Sequence, residues 1–500
     1  MKSKNLRLNF CVQKIFRKDN ISSIFAKALA LIAISLLIIR SISVADISWD
    51  SLSYHLPFAA MRVGLLSPHN FVLPEYLIAS YNGFPSAIYY LKGLLWLITG
   101  RPEAVQLVSI LSIILFALFT KKTLNVSAEW IVIGILSIPL IQIGASANMV
   151  DVPANMGMAM VALSLYKLLI KTNEITKQDF IWLLVACLIA SGSKPQSIIV
   201  GNVIFGSYVV VFLLLRKKFR LEYSNLKALK SAIFWLILCG FAISYPALLN
   251  TYRYGNPIYP MALNIGSLHL QGVYTATNWQ EPAYLNSLPQ VIRWLLSVLE
   301  FHAYDLRPIP YSIDQGNVPL SSKSFRMGGY FLPLILMSLF VIMLSTKRMR
   351  RDYARRGLLF LFCITIFVSS LPGSNELRYY SFWAVLLVVI AIAQLEWNKN
   401  NQALGEIFLF YKAFLVISFL FIIFITGAEY FKWTGPRYSD LVSSFERNRK
   451  VFHSNEKTVF FYDVNDFRGA IFDSAIFSDP NNIVLIRPKN NYEENGINIK

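Results

Sequence analysis

The chain has 500 residues, 55% of them hydrophobic and only 15% charged, with a formal net charge of +19. A soluble domain is about a quarter charged, so a water-soluble globular enzyme is excluded. Apolar runs of roughly 17 to 24 residues recur along the chain, and about 20 cross the hydrocarbon as a helix, which makes it a polytopic membrane protein. The excess Lys and Arg is assigned to loops that fix topology and touch anionic lipid, not to nucleic acid.

The N-terminal arm, residues 1–21, is basic (Lys2, Lys4, Arg7, Lys14, Arg17, Lys18) and is expected in the cytoplasm. The first span, about 22–45, ends in Ser43-Val44-Ala45, which resembles a signal-peptidase site but is read as a retained anchor. It delivers Asp46 and Asp50 to the outside, into a first external loop over 46–102. The run 85–99 is short, aromatic and carries Lys92. Read as an interfacial or re-entrant helix, it lets the later basic clusters fall on the cytoplasmic side. These clusters are Lys121-Lys122, Lys171 with Lys177, Arg216-Lys217-Lys218 and Lys347-Arg348.

Further spans are expected at 103–120, 130–147, 152–170, 180–190, 198–215, 231–249, 328–344, 358–371, 379–395 and 407–426. A long external loop covers 250–326, with a turn at Gly255-Asn256-Pro257. The total is about eleven spans in an all-α transmembrane domain over 22–427. Residues 428–500 form an external lobe in which 458–462 and 483–486 read as strands, giving a small α/β unit. Of four cysteines, Cys11 lies in the basic arm, and Cys187, Cys239 and Cys363 lie in apolar runs, so no external disulfide is expected. The chain shows no Walker motif, no dinucleotide fingerprint and no zinc spacing.

The basic loops alone put Asp50, Asp151, Lys194 and Arg378 on one face of the membrane, the external one. Ionisable groups beside spans are costly and often functional. Asp50 either caps the helix that follows or serves as a general base, which needs a carboxylate near an acceptor hydroxyl and partly screened from water. Asp46 is the weaker competitor. Tyr54 lies four residues after Asp50, on the same face of a helix, and is otherwise an interfacial anchor. His55 is a structural hydrogen-bonding histidine or a metal ligand.

Asp151 follows Asn148 at a span end and is a helix N-cap, a second site carboxylate, or both. Lys194, bracketed by Gly192 and Pro195, either snorkels or contacts phosphate. Arg378 is the best anion-binding candidate, since a guanidinium holds phosphate oxygens bidentately; the alternative is a surface ion pair with Glu376. Asp50, Asp151, Tyr54 and His55 are the candidate catalytic residues. Lys194, Arg378, Glu376 and Asn148 are the candidate substrate-binding ones. No metal or cofactor is required, although Asp50 with Asp151 would suit a divalent cation.

The order of these residues resembles the GT-C superfamily of membrane glycosyltransferases, in particular the aminoarabinose, protein O-mannosyl and Rgt-type transferases. Asp50, Tyr54, Ala59-Ala60 and Gly64 are similar to the pattern after the family's first span. Asp151-Val152-Pro153 resembles its Asp-Pro with one residue inserted, Ser193-Lys194-Pro195 its external lysine, and Arg378-Tyr379 its late Arg-Tyr. The resemblance covers about 20–395. Ser51 stands where a second acid is common, Phe84 where a basic residue often precedes proline, and Gln106 where arginine is usual. The Tyr54-His55-Leu56-Pro57 continuation is not general to the superfamily.

The resemblance implies a GT-C-like fold, a polyprenyl-phosphate sugar donor, and a glycan, lipid or protein acceptor. It also implies inverting transfer on the external side of a bacterial cytoplasmic membrane, within membrane lipid. Rival readings are an O-antigen polymerase or ligase, a lipid-linked sugar flippase or transporter, and a membrane scaffold. A transporter would tend to show inverted repeats and broken helices.

Overall fold

The computed structural model describes residues 19–48, 50–66, 75–170, 175–215, 226–265, 268–274, 288–299, 331–347, 351–398, 402–440, 450–454 and 457–461. Helices dominate. They are α1 (Asp19–Ser43), α2 (Leu56–Arg62), α3 (Glu75–Gly83), α4 (Ala87–Thr99), α5 (Leu107–Thr123), α6 (Ala128–Leu136), α7 (Pro139–Gly144) and α8 (Asp151–Ile170). They continue with α9 (Lys177–Ser193), α10 (Pro195–Leu215), α11 (Leu226–Tyr254), α12 (Gln290–Leu299), α13 (Phe331–Thr346), α14 (Arg351–Ser370), α15 (Phe382–Trp397) and α16 (Gln402–Ile425).

Among the described residues, six helical stretches are long and apolar enough to cross a membrane: 23–43, 102–123, 151–170, 195–215, 229–254 and 405–424. The outer helices expose apolar side chains, such as Leu31 on α1, Phe234 and Ile237 on α11, and Phe410 and Phe424 on α16. That is normal where the solvent is lipid. The chain is a multi-pass membrane protein. Helix α4 has 13 residues and, at 1.5 Å per residue, is about 20 Å long, short of the ~30 Å hydrocarbon core.

The interior is built around α8, which packs on α5, α9, α10, α14 and α15. A helix that is apolar all round belongs inside; Met156, Met158, Ala159 and Met160 are all buried. Gly157 permits a close approach: a Cβ there would lie 2.5 Å from the backbone nitrogen of Ala190 on α9. Helices α8 and α9 therefore touch backbone to backbone.

The expected single span over 130–147 is interrupted. Proline lacks an N–H and kinks or breaks a helix at an interior position. Accordingly α6 stops at Leu136 and α7 restarts with Pro139 in its first turn. Gln142 repairs part of the break, donating from Nε2 to the Leu136 carbonyl at 2.9 Å.

The remaining strands are short. β1 (Leu263–Ile265) and β2 (Leu268–Leu270) form a hairpin in the long loop. Just before it, Gly255 adopts φ +66°, and Asn256 Oδ1 accepts from the Ile258 N–H at 2.9 Å to make the expected turn. In the tail, β3 (Lys450–Ser454) pairs antiparallel with β4 (Lys457–Phe461), at the first of the two expected strands. The second, 483–486, lies outside the described residues, as does Trp49.

Candidate active site

Asp50 ends the irregular link after α1. The next five residues, Ser51–His55, form a π-helical turn, closed by the Leu56 N–H on the Ser51 carbonyl. Pro57 follows in the first turn of α2. Its ring would crowd the carbonyl four residues back in a tight α-turn, and the wider turn accommodates it. Asp50 makes no side-chain cap. Its Oδ2 instead accepts from Arg378 Nη1 at 3.2 Å.

A second pair lies beside the first. Lys194 Nζ, in the corner between α9 and α10, reaches Asp151 Oδ1 at 2.6 Å, at the start of α8. Tyr379 joins the two pairs: Lys194 Nζ sits 3.8 Å over its ring, and Arg378 donates from Nη2 to its hydroxyl at 3.1 Å. Glu376 Oε2 is 3.9 Å from Arg378 Nε. The four paired side chains keep 12 to 16% of their surface open, whereas Glu376 keeps 4%. The pairs are therefore more open to the outside than Glu376 is. Next to them, a water-sized cavity of about 20 Å³ is bordered by Asp151, Asn155 and Arg378.

The Arg378 loop is bolted to α8 by Asn155. Its Nδ2 donates to the carbonyls of Asp151 and Arg378, both at 2.8 Å, and its Oδ1 accepts from the Phe382 N–H at 2.8 Å. Sequence reading missed Asn155, although a polar residue one turn after Asp151 on the same helix face was available as a signal.

Burial opposes the charge on Arg378, but Tyr379, Asp151, Asp50 and Glu376 outweigh it and hold its pKa above the ordinary value. Burial lowers the Lys194 pKa despite Asp151. Burial and the neighbouring Asp50 raise Tyr54 well above a normal phenol, so it stays protonated.

His55 stands apart from the two pairs. It is buried, with Nδ1 2.9 Å from the Tyr89 hydroxyl and its ring 4.2 Å from that of Tyr54. Burial, then Lys92, Lys194 and Arg378, push its pKa well below the usual value, so it is neutral at pH 7.

Asn148 is completely buried and faces the protein rather than the open side. Its N–H donates to Asp46 Oδ2 at 2.7 Å and its Nδ2 to Ser51 Oγ at 3.0 Å. Its carbonyl accepts from Lys92 Nζ at 2.7 Å, and the Met149 carbonyl accepts from the same ammonium at 3.3 Å. Asp46 Oδ1 accepts from the Ser48 N–H at 2.9 Å. Asp46 and Lys92 thus clamp the Asn148 turn onto the Asp50 segment. Gln106 donates from Nε2 to the Val44 carbonyl at 2.7 Å, holding the end of the first span from below.

Among the described residues, no three of His, Cys, Asp and Glu converge to hold a metal ion. A groove of about 410 Å³ opens between α9, α11 and the α3–α4 junction. Phe84, Leu188, Phe241 and Tyr245 give it apolar walls, and Arg62 and Arg253 contribute guanidinium groups. Ser191 and Gly192 line it too, two to three residues before Lys194, so the groove runs close to the paired charges.

No protein-family model matches the chain, and no curated protein matches it in sequence. Among solved structures it is similar to ArnT from Cupriavidus metallidurans in the apo state, with 12% identity and a TM-score of 0.50 over 93% of this chain and 85% of that one. A structure of ArnT from the same organism bound to undecaprenyl phosphate matches at 14% identity and a TM-score of 0.44, over 91% of this chain and 73% of that one. The first likeness shows the fold: a GT-C-like polytopic membrane bundle.

Proposed function

We propose that the protein is an inverting glycosyltransferase. It moves a sugar from a polyprenyl-phosphate donor to a hydroxyl on a glycan, lipid or protein acceptor. The reaction takes place on the external face of the bacterial cytoplasmic membrane, with the N-terminus inside. The observation that carries this reading is the pair of ion pairs, Asp50–Arg378 and Asp151–Lys194, bridged by Tyr379 and lying beside an apolar groove.

The groove suits a long isoprenoid chain, whose burial is worth roughly 25 cal/mol per Å². The donor phosphate would take hydrogen bonds from Arg378 and Lys194. Charge-assisted contacts to a cation are exchangeable in a way that contacts to backbone are not, so phosphate can replace Asp50 on the guanidinium. Asp50, released from its partner, then gains proton affinity at the moment it is needed. It takes the acceptor hydroxyl proton while the acceptor oxygen attacks the anomeric carbon. The bond from that carbon to the phosphate oxygen breaks, and its electron pair leaves with the phosphate. Fixed donors aimed at the growing charge stabilise it without reorganisation. Asp151 holds Lys194 in place for this task, and Tyr54 keeps its proton beside Asp50.

External placement rests on the basic loops counted along the sequence. The direct contacts among Asp50, Asp151, Lys194 and Arg378 support the same parity, since they join segments that follow α1, start α8, link α9 to α10 and link α14 to α15.

The test is Asp50→Asn in membranes, with sugar transfer to surface glycans or to a supplied acceptor as the readout. General-base removal is expected to cost about 10²- to 10⁴-fold in rate, with protein level and polyprenyl-phosphate binding retained. Wild-type transfer by Asp50→Asn would refute the mechanism.

A further inference from the structure

After α16 the chain does not leave the site. It turns through Glu429–Phe431 and runs back beneath the link that carries Asp46 and Asp50. The Pro436 carbonyl accepts from the Ala45 N–H at 2.8 Å, and Gly435 packs against Val44 so closely that a Cβ would lie 2.8 Å from its Cγ1. Tyr438 is the anchor of this strap and has no exposed surface. Its N–H donates to Glu103 Oε1 at 3.0 Å, and its hydroxyl donates to the Asp46 carbonyl at 3.1 Å and lies 3.3 Å from Ser51 Oγ.

Proton counting fixes the direction of this network. Tyr438 has one hydroxyl proton and gives it to Asp46, so Ser51 must donate to Tyr438; Ser51 Oγ in turn accepts from Asn148 Nδ2. The chain of bonds therefore runs Asn148 to Ser51 to Tyr438 to Asp46, each donating to the next. Such a buried chain rigidifies when complete and is costly when a member is removed. It encloses Asp50, with Ser51 next to it on one side and Asp46 four residues before it on the other. That stretch is irregular from 45 to 48, and helical hydrogen bonds hold only its ends: the Val44 N–H on the Arg40 carbonyl at 2.9 Å and the Leu52 N–H on the Ser48 carbonyl at 3.1 Å.

We propose that Tyr438 is a positioning residue: its hydroxyl fixes the Asp46–Ser51 segment and thereby aims the Asp50 carboxylate at Arg378. The proposal rests on the reading of Asp50 as the base. Tyr438 lies in the segment after the last span, beyond the stretch that resembles the glycosyltransferase pattern, and it contacts neither Lys194 nor the groove.

The experiment compares Tyr438→Phe, Ser51→Ala, the double variant and Asp50→Asn, all in the full chain. Tyr438→Phe keeps the ring and loses only the hydroxyl. Its expected signature is polyprenyl-phosphate binding within about twofold of wild type, with kcat down between about tenfold and a hundredfold, as small misplacements of a reacting group produce. The acidic limb of its pH–rate profile should also shift. The double variant should lose less than the sum of the single variants, because the two share the Tyr438–Ser51 bond. Wild-type kcat and pH profile in Tyr438→Phe, beside an inactive Asp50→Asn, would overturn the positioning role and leave the base intact. Fully additive losses in the double variant would also overturn it. If Tyr438→Phe accumulates poorly, Ser51→Ala alone decides by the same kcat and pH readouts. Activity in Asp50→Asn would sink both readings together.

Discussion

Asp46 and Asp50 lie four residues apart in one segment, and their carboxylates are held in opposite ways. Asp46 is gripped by two backbone N–H groups, those of Ser48 and Asn148. Asp50 instead pairs with a side chain, the Arg378 guanidinium, and keeps part of its surface open. The same contrast separates the two lysines. Lys92 is fully buried and bonded to two carbonyls, whereas Lys194 meets a carboxylate and a ring at the edge of the site. Groups tied to backbone cannot be exchanged for substrate. Groups tied to one another can, because a phosphate and a hydroxyl can replace the partners. The lesson is that the chemistry is to be sought in the charge pairs and the architecture in the charge-to-backbone contacts.

Replacing Arg378 by Ala should give the largest effect. It strips both Asp50 and Glu376 of their cation and removes the donor proposed for the leaving phosphate. Transfer should fall by about 10²- to 10³-fold, and leaving buried carboxylates without a cation should cost about 3 kcal/mol of stability. The measurements are transfer in membranes and thermal unfolding in detergent. A variant stable yet inactive would sharpen the contrast further; one that is fully active would break it.

Asp46→Asn comes next and should separate the two acids. It removes the charge on an acceptor of two N–H groups, which is expected to cost about 1 to 3 kcal/mol of stability. At temperatures where the variant is folded, its acid-limb pKa in a pH–rate profile should match wild type. A displaced acid limb with unchanged stability would give Asp46, not Asp50, the proton-transfer role.

The smallest effect concerns pH. Below about pH 6.5 an unfolded chain protonates its histidines, while folded His55, whose pKa is lowered by burial and nearby cations, stays neutral. The unfolded state then binds more protons, so this contribution is fully present above the unfolded pKa and is lost as pH falls. The slope is at most about 1.4 kcal/mol per pH unit. Melting curves from about pH 7.5 to about pH 5.5 should therefore be steeper in pH for wild type than for His55→Gln. Equal slopes would place His55 in a more polar setting than its contacts with Tyr54 and Tyr89 describe.

The sequence carried the fold class and the four charges that pair, because apolar length, loop charge and polar residues at span ends are local signals. Asp50, Asp151, Lys194 and Arg378 each stand at such an end. It did not carry the partners, because pairing depends on which helix ends meet. Arg378 was weighed against Glu376, yet its nearer partner is Asp50, 328 residues away. Lys92 was visible only as an awkward charge in an apolar run; its role depends on the Asn148 turn, which arrives from a distant part of the chain. Tyr438 lay in a tail with no periodicity to mark it. The break at Pro139 was legible in principle, since a proline in the middle of an eighteen-residue run is a reason to expect two pieces.

The backbone contact at Gly157 makes the α8–α9 pair a lever. Asp151 lies six residues from that contact and Lys194 four residues from its Ala190 side, so the backbones of both lie within about 9 Å of the fulcrum along the chain. A single added methyl would wedge the helices apart deep among the spans, and a displacement of about 1 Å would part a 2.6 Å ion pair that the methyl never touches. Loss of function by a change that touches no charged side chain is the expected symptom, and a greasy molecule lodged at the same crossing would act at a distance in the same way.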